Sequence, residues 1–221
     1  MELLNLADAA ARMRLVLRAS VLLWLGTLMT VLMRADAALL QHLAGSRVFG
    51  SLRPALEWYA DQGLFIFYAA CIALFVYGMR IKRRLFVRVG LAYVFAQVFG
   101  TLLLVRLIKI GCGRPRPFVD AEAWFCEAPS LLRAFHSFPS SHVVNAAVCA
   151  MFVMLLLRSR AAALLAIAAT LCMAMARIAS GAHHLSDVLA GMALGVAITG
   201  VVMRLHLFPR WRATETSAAA R

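Results

Sequence analysis

Six apolar runs punctuate the chain, and the polar residues collect in short clusters between them. The runs extend from about Leu15 to Met33, from Gly63 to Met79, from Val89 to Ile108, from after Pro139 to Leu157, from Ala161 to Ile178, and from Asp187 to about Leu205. Each approaches the ~20 residues that a helix needs to cross hydrocarbon. Arg18 and Arg106 sit near the ends of their runs, where a long stem can carry the charge to the interface. Only Arg158, Ser159 and Arg160 separate the fourth run from the fifth, which predicts a tight antiparallel hairpin. The stretch from Arg34 to Gln62 is rich in Ala and Leu and contains Pro54; it predicts one or two short interfacial helices, broken at the proline. Lys109 to Phe138, rich in Gly, Pro and charge, reads as the longest loop. The pattern predicts an all-α fold: a polytopic membrane protein built as a six-transmembrane-helix bundle, one domain over residues 1–221.

Composition strengthens the membrane reading. Hydrophobic residues make up 63% of the 221, against roughly 45–50% in soluble domains. The net charge of +13 raises nucleic-acid binding as an alternative. The cations, however, lie in clusters between apolar runs rather than along one stripe, so no nucleic acid partner is expected and membrane lipids are. Glu2 and Asp8 precede the first run, which is longer than a signal-peptide core. It is therefore expected to remain as a span, despite the small-residue site Ala35-Asp36-Ala37.

Lys and Arg placement sets an orientation. The cluster from Arg80 to Arg88, together with Arg12, Arg14, Arg158, Arg160, Arg204, Arg210 and Arg212, falls on one face if the N-terminus is cytoplasmic. Both termini are therefore expected in the cytoplasm. Cys71, Cys149 and Cys172 lie within apolar runs and read as packing residues. Cys112 and Cys126 share the long loop on the opposite, oxidising face, and a disulfide between them is the corresponding hypothesis.

With that orientation, three unusual polar segments meet at the outer face: Lys109 to Pro117, Pro139 to His142, and Arg177 to Asp187. Charged groups beside hydrocarbon are functional candidates. Lys109, Arg116 and Arg177 are three cations without a matching set of acids, which suits them to an anion such as phosphate. The segment Pro139-Ser140-Ser141-His142 opens a helix, whose free N–H groups also favour an anion. His142 and His183 come from separate helices and suit a nucleophile and a proton donor. Asp187, four residues after His183, is read as one helical turn away and able to orient an imidazole.

These residues resemble the motifs of the type 2 phosphatidic acid phosphatases. Lys109, six residues and Arg116-Pro117 are similar to the first motif; Pro139-Ser140-Ser141-His142 to the second; and Arg177, five residues, His183, three residues and Asp187 to the third. The resemblance covers residues 89–205. It implies that His183 is the nucleophile and forms a phosphohistidine, that Asp187 orients it, and that His142 protonates the leaving oxygen and then activates water. Lys109, Arg116, Arg177, Ser140 and the backbone at Ser141 would bind the phosphoryl oxygens. No metal and no cofactor are implied. Ser141 replaces the family's Gly in the second motif, and Ala176 replaces the Ser before Arg177.

Other residues remain open on sequence. Arg114 either touches substrate or faces solvent. His136 is a candidate to line the entrance. His184, about 100° from His183 if both are helical, ranks second. A zinc site from His142, His183 and Asp187 is opposed by the surrounding cations. The expected activity is hydrolysis of a lipid phosphomonoester or pyrophosphate at the outer face of a bacterial cytoplasmic membrane. The resemblance offers phosphatidic acid, phosphatidylglycerol phosphate, undecaprenyl pyrophosphate and lipid A phosphates as substrates. The alternatives are a lipid phosphotransferase using the same intermediate, and a non-enzymatic anionic-lipid transporter or binding protein.

Overall fold

A computed structural model describes residues 6–82, 84–120, 125–157 and 159–206. The described chain is helical: α1 (Leu6–Leu32), α2 (Ala35–Gly45), α3 (Arg47–Arg80), α4 (Arg84–Phe95), α5 (Val105–Cys112), α6 (Ser141–Leu156), α7 (Arg160–Ala179) and α8 (Leu185–His206). A π-helical segment, Ala96–Leu104, joins α4 to α5 without a break, and the Val105 N–H donates to the Gly100 carbonyl in the wider i→i+5 pattern. A single 3₁₀ turn, Arg133–Phe135, lies in the long loop.

Among the described residues, four helices are long and apolar enough to cross a membrane: Gly50–Arg80, Phe86–Cys112, Arg160–Ala179 and Leu185–Leu205. Arg18–Leu32 and Ser141–Leu156 are apolar but shorter. At 1.5 Å per residue, α6 reaches roughly 24 Å, less than a ~30 Å hydrocarbon core. The expected count of six spans thus resolves, by length and composition, into four helices that meet the requirement and two shorter ones. Outward-facing Leu22, Phe65, Leu102 and Leu165 are exposed, as a lipid-facing surface requires.

The expected break at Pro54 does not occur, because α3 runs through it. The residue whose carbonyl loses its bond is Gly50, which is exposed and has open space around it, so that carbonyl is not sealed in the core. The hairpin between α6 and α7 forms as expected. Ser159 caps α7, its Oγ accepting from the Ala162 N–H at 3.3 Å.

α6 is the axis of the bundle. Residues Val143 through Phe152 are all buried, and the helix packs against α8, α7 and α3. Its contact with α8 depends on two glycines one turn apart. A Cβ on Gly195 would lie 2.7 Å from Ala147 Cβ and 2.8 Å from the Val144 carbonyl. A Cβ on Gly191 would lie 3.0 Å from the Ser140 carbonyl. Small residues spaced this way let two helix backbones approach closely in lipid. The start of α6 is thereby drawn against α8, near the residues that open it.

Candidate active site

The first segment is set by the end of α5. Gly113 takes a left-handed conformation (φ 56°) and closes the helix, its N–H donating to the Lys109 carbonyl. A Cβ there would collide with the Ala128 carbonyl, so the returning loop packs directly on the turn. The Glu127 and Ser130 N–H groups donate to the carbonyls of Cys112 and Ile110, which satisfies the helix end. The expected disulfide joins Cys112 to Cys126, with Cα atoms 4.7 Å apart. The loop then runs back beside the first motif: the Arg116 N–H donates to the Ala134 carbonyl, and the Ser137 N–H to the Arg114 carbonyl.

The second segment enters α6 through Ser140, whose N–H donates to the Asp187 carbonyl at 3.0 Å. This bond ties the second motif to the third. Ser141, in place of Gly, is the first residue of α6 and is not among the residues with positive φ. The side chain therefore introduces no backbone strain. The third segment leaves α7 at Arg177, in its last turn, and turns at Gly181 (φ 65°). Only a residue tolerant of left-handed angles suits that point.

Asp187 is the hub and is fully buried. Its Oδ1 accepts from Arg114 Nη1 at 2.7 Å. Its Oδ2 accepts from Ser137 Oγ at 2.6 Å and from the His184 N–H at 2.9 Å. The last bond is the reciprocal arm of a capping box: His184 caps α8, and the third helical residue reaches back to its N–H. His183 and His184 accordingly precede α8 and are not helical. Their rings are therefore not set about 100° apart by helical spacing, as expected from the sequence. Both rings meet the same oxygen, His184 Nδ1 at 3.3 Å and His183 Nδ1 at 3.6 Å. The second distance is a close approach outside hydrogen-bond range.

Burial pushes the His183 imidazole down to about 3, with the charges of Lys109 and Arg177 acting in the same direction and Asp187 opposing them. The ring is neutral at ordinary pH, so one nitrogen keeps its lone pair. Arg116 is also shifted down, chiefly by burial, with Asp187 opposing.

The three cations converge. Lys109 lies within electrostatic reach of Arg116 and Arg177, and Arg177 within reach of Arg116. His142, at the start of α6, is within reach of all three. His183 shares Lys109 and Arg177 with it, so both histidines lie within electrostatic reach of a common charge cluster. Lys109 is buried and its Nζ donates to the carbonyls of His136 at 2.7 Å and Ser137 at 3.4 Å. Arg116 Nε, Arg177 Nε and Ser140 Oγ are buried without a hydrogen-bond partner. All three can donate, which fits an acceptor-rich anion and not a cation.

Two expectations change. His136 is not free to line an entrance; it is buried, and its Nε2 donates to the Ser130 carbonyl at 2.8 Å. Arg114 faces neither solvent nor an open site. It is fully buried between Asp187 and Asp36, with Nη2 donating to Asp36 Oδ2 at 2.9 Å and Nη1 to Ser186 Oγ at 2.6 Å. Asp36, near the start of α2, also accepts from the Ser186 N–H at 2.8 Å and from the Ser186 hydroxyl. The sequence reading missed Asp36 as a site residue. Its one signal was an acid amid an Ala- and Leu-rich stretch, with no partner nearby in sequence.

Comparisons with known proteins follow the same lines. The sequence profile of a family described as the PAP2 superfamily matches residues 85–211. Over 107 residues the chain is 40% identical to a lipid A 1-phosphatase of Rhizobium etli, covering 47% of this chain and 45% of that protein. Over 108 residues it is 43% identical to a lipid A 1-phosphatase of Rhizobium johnstonii, covering 47% and 43%. The match thus spans less than half the length of these relatives. The fold is similar to the crystal structure of a transmembrane PAP2-type phosphatidylglycerolphosphate phosphatase from Bacillus subtilis. The TM-score is 0.60 at 21% identity, covering 86% of this chain and 98% of that one.

Proposed function

The chain belongs to the PAP2 superfamily, and from that premise we propose that it is a membrane lipid phosphatase working through a phosphohistidine on His183. The observation that carries this reading is the convergence of His142 and His183 on one cluster of Lys109, Arg116 and Arg177, with unpartnered donors among them. A transporter has no need of two imidazoles at the anion.

His183 Nε2 attacks phosphorus while its Nδ1–H faces Asp187, the bond to the leaving oxygen breaks, and His142 gives that oxygen a proton. His142 then takes a proton from water, which attacks the phosphohistidine and releases phosphate. Lys109, Arg116, Arg177, Ser140 and the Ser141 N–H hold the phosphoryl oxygens, supplying the charge stabilisation that dominates phosphoryl transfer. His184 competes with His183 for Asp187 and is the alternative nucleophile.

The names of the two relatives favour a lipid A phosphate as substrate, in the 1-position. In the bilayer, α1 and α6 complete a six-span bundle with the four longer helices. The Lys and Arg bias puts the termini in the cytoplasm and the site at the periplasmic face of a bacterial inner membrane. Purified protein assayed on lipid A, phosphatidic acid and phosphatidylglycerol phosphate tests the reading. Phosphate release from at least one lipid, lost in His183→Ala and His142→Ala, is expected. Undiminished release by His183→Ala would remove the mechanism, and phosphate appearing on another lipid instead of in water would make the enzyme a transferase.

A further inference from the structure

The loop between α5 and α6 holds apolar side chains that take no part in the core. Phe118 is 65% exposed and Leu131 76%, and their neighbours Val119 and Leu132 are exposed as well. Single exposed apolar residues are ordinary, but several held out together mark a contact surface. The two pairs belong to one tip: the Arg116 N–H donates to the Ala134 carbonyl, and Phe118 and Leu132 each lie two residues from that bond. Their exposure is not a matter of a loose chain. The Cys112–Cys126 disulfide, the bond from His136 Nε2 to the Ser130 carbonyl and the bond from the Leu132 N–H to Ser130 Oγ tie the loop down beside them.

The helix beside the tip sets its depth. The Ser130 N–H donates to the Ile110 carbonyl at 3.0 Å, and Ile110 lies two residues inside the end of the membrane-crossing helix Phe86–Cys112. Two residues are roughly 3 Å of helix. The loop thus folds back beside the last turn, and Leu131, which follows Ser130, is held at the level where that helix leaves the hydrocarbon. Lower on the same helix, Leu103 and Leu107 are exposed one turn apart, as a lipid-facing stripe requires. Ile110, three residues past Leu107, continues that face toward the loop. Charge agrees with this placement. Arg133, next to Leu132, is exposed and lies within electrostatic reach of Arg116. Among the described residues no carboxylate pairs with it. A cation flanked by apolar side chains suits the boundary where anionic headgroups meet acyl chains.

We propose that the loop tip formed by Phe118, Val119, Leu131 and Leu132 inserts into the adjoining leaflet of the bilayer, with Arg133 against anionic headgroups, and so seats the mouth of the site at headgroup depth. The partner is the lipid surface itself, because the tip is tied to the end of a membrane-crossing helix on its lipid-facing side. Arg116 links the tip to the site. It lies two residues before Phe118, and its guanidinium stands 5.9 Å over the Phe118 ring. With that ring in the acyl boundary, Arg116 lies at the level of the lipid phosphates. A lipid phosphate then reaches Lys109, Arg116 and Arg177 without its lipid leaving the leaflet. The tip touches no reacting atom; it positions the membrane relative to the site. The insertion rests on the span and the loop alone, whereas its effect on turnover rests on the phosphatase reading as well.

The test uses the full chain in nanodiscs and places a tryptophan on each side of the tip, as Leu131→Trp and Phe118→Trp. Fluorescence is compared between discs of plain phospholipid and discs of phospholipid brominated near the top of its acyl chains, with the wild-type signal subtracted. Both added tryptophans should emit at shorter wavelength than tryptophan in water. Both should lose roughly half or more of their signal in brominated discs, as side chains seated ~5–10 Å into the boundary would. Unquenched, water-like emission at either position would overturn the insertion. A blue shift without quenching, seen only in discs that hold a second copy, would assign the tip to that copy and overturn it too. Neither readout needs turnover, so a failed phosphatase reading leaves the insertion to be decided by fluorescence. Turnover tests the seating of the site. Leu131→Ser with Leu132→Ser should raise KM for a lipid phosphate in discs about threefold or more, with kcat/KM on a water-soluble phosphate monoester within about twofold, which also reports that the variant folds. An equal loss on both substrates, or none on the lipid, would overturn that role.

Discussion

Replacing Asp36 by Ala removes one end of the buried chain Asp36–Arg114–Asp187. Arg114 is fully buried, and Asp36 is 5% exposed. Breaking a buried pair by deleting one partner costs about 3–5 kcal/mol, because the other charge stays buried. Two further bonds go with it, since the Ser186 N–H and hydroxyl both donate to Asp36. The Asp187 carboxylate still neutralises Arg114 at 2.7 Å, which holds the loss toward the lower end of that range, about 3 kcal/mol. Asp36→Asn keeps an acceptor for the Ser186 N–H and should lose about half as much. Reversible unfolding in detergent measures both. A double-mutant cycle with Arg114→Met should give a coupling energy of about 2 kcal/mol or more, since the two groups share one network. Arg114 also fixes the Asp187 oxygen opposite the one that faces both histidines, so turnover should fall with stability. Stability within about 0.5 kcal/mol of wild type, or a coupling near zero, would refute the reasoning.

Three other outcomes follow from the same structure. Gly195→Val would force α6 and α8 apart at Ala147 and Val144; it should cost about 1–3 kcal/mol and reduce turnover by moving His142 relative to Asp187, as unfolding and steady-state assays would report. Replacing Cys112 and Cys126 by Ser opens a loop whose ends are 14 residues apart; about 2–3 kcal/mol should be lost, seen as a lower unfolding midpoint that reductant no longer shifts. His183, shifted down to about 3 chiefly by burial, should stay neutral between pH 7 and pH 5. An unshifted histidine would be only roughly 3% neutral at pH 5. The ¹⁵N shifts of the His183 ring, assigned by loss of signal in His183→Ala, distinguish the two, and a midpoint above pH 6 would contradict the burial argument.

The parts of this site that were legible in sequence are those whose neighbours in space are marked by type and spacing. Lys109 and Arg116 flank a Gly- and Pro-rich turn, and Arg177 precedes a left-handed glycine, so each segment carries its own local signal. The apolar runs gave the helices for a similar reason, because burial or lipid contact acts on every turn. What stayed hidden depends on contacts that no local pattern encodes. Asp36 meets Ser186 across 150 residues. Arg114 read as an ambiguous loop cation because both of its carboxylates are distant in sequence. His183 looked helical because Asp187 lies four residues on, yet Asp187 is the third residue of α8 and reaches back to the His184 N–H, which leaves both histidines ahead of the helix. Pro54 looked like a break because propensity is local, whereas the carbonyl it frees belongs to the exposed Gly50. The π-helical segment has no sequence signature comparable to a glycine or proline.

Trapping the intermediate tests the assignment of His183 most directly. Wild-type enzyme mixed with lipid A carrying ³²P at the 1-phosphate and quenched within one turnover should carry label on the chain that survives alkali and is lost in acid, as a phosphohistidine requires. Peptide mapping should locate it at His183, and His183→Ala should carry none while still binding lipid. Label on His184, or full turnover by His183→Ala, would contradict the account.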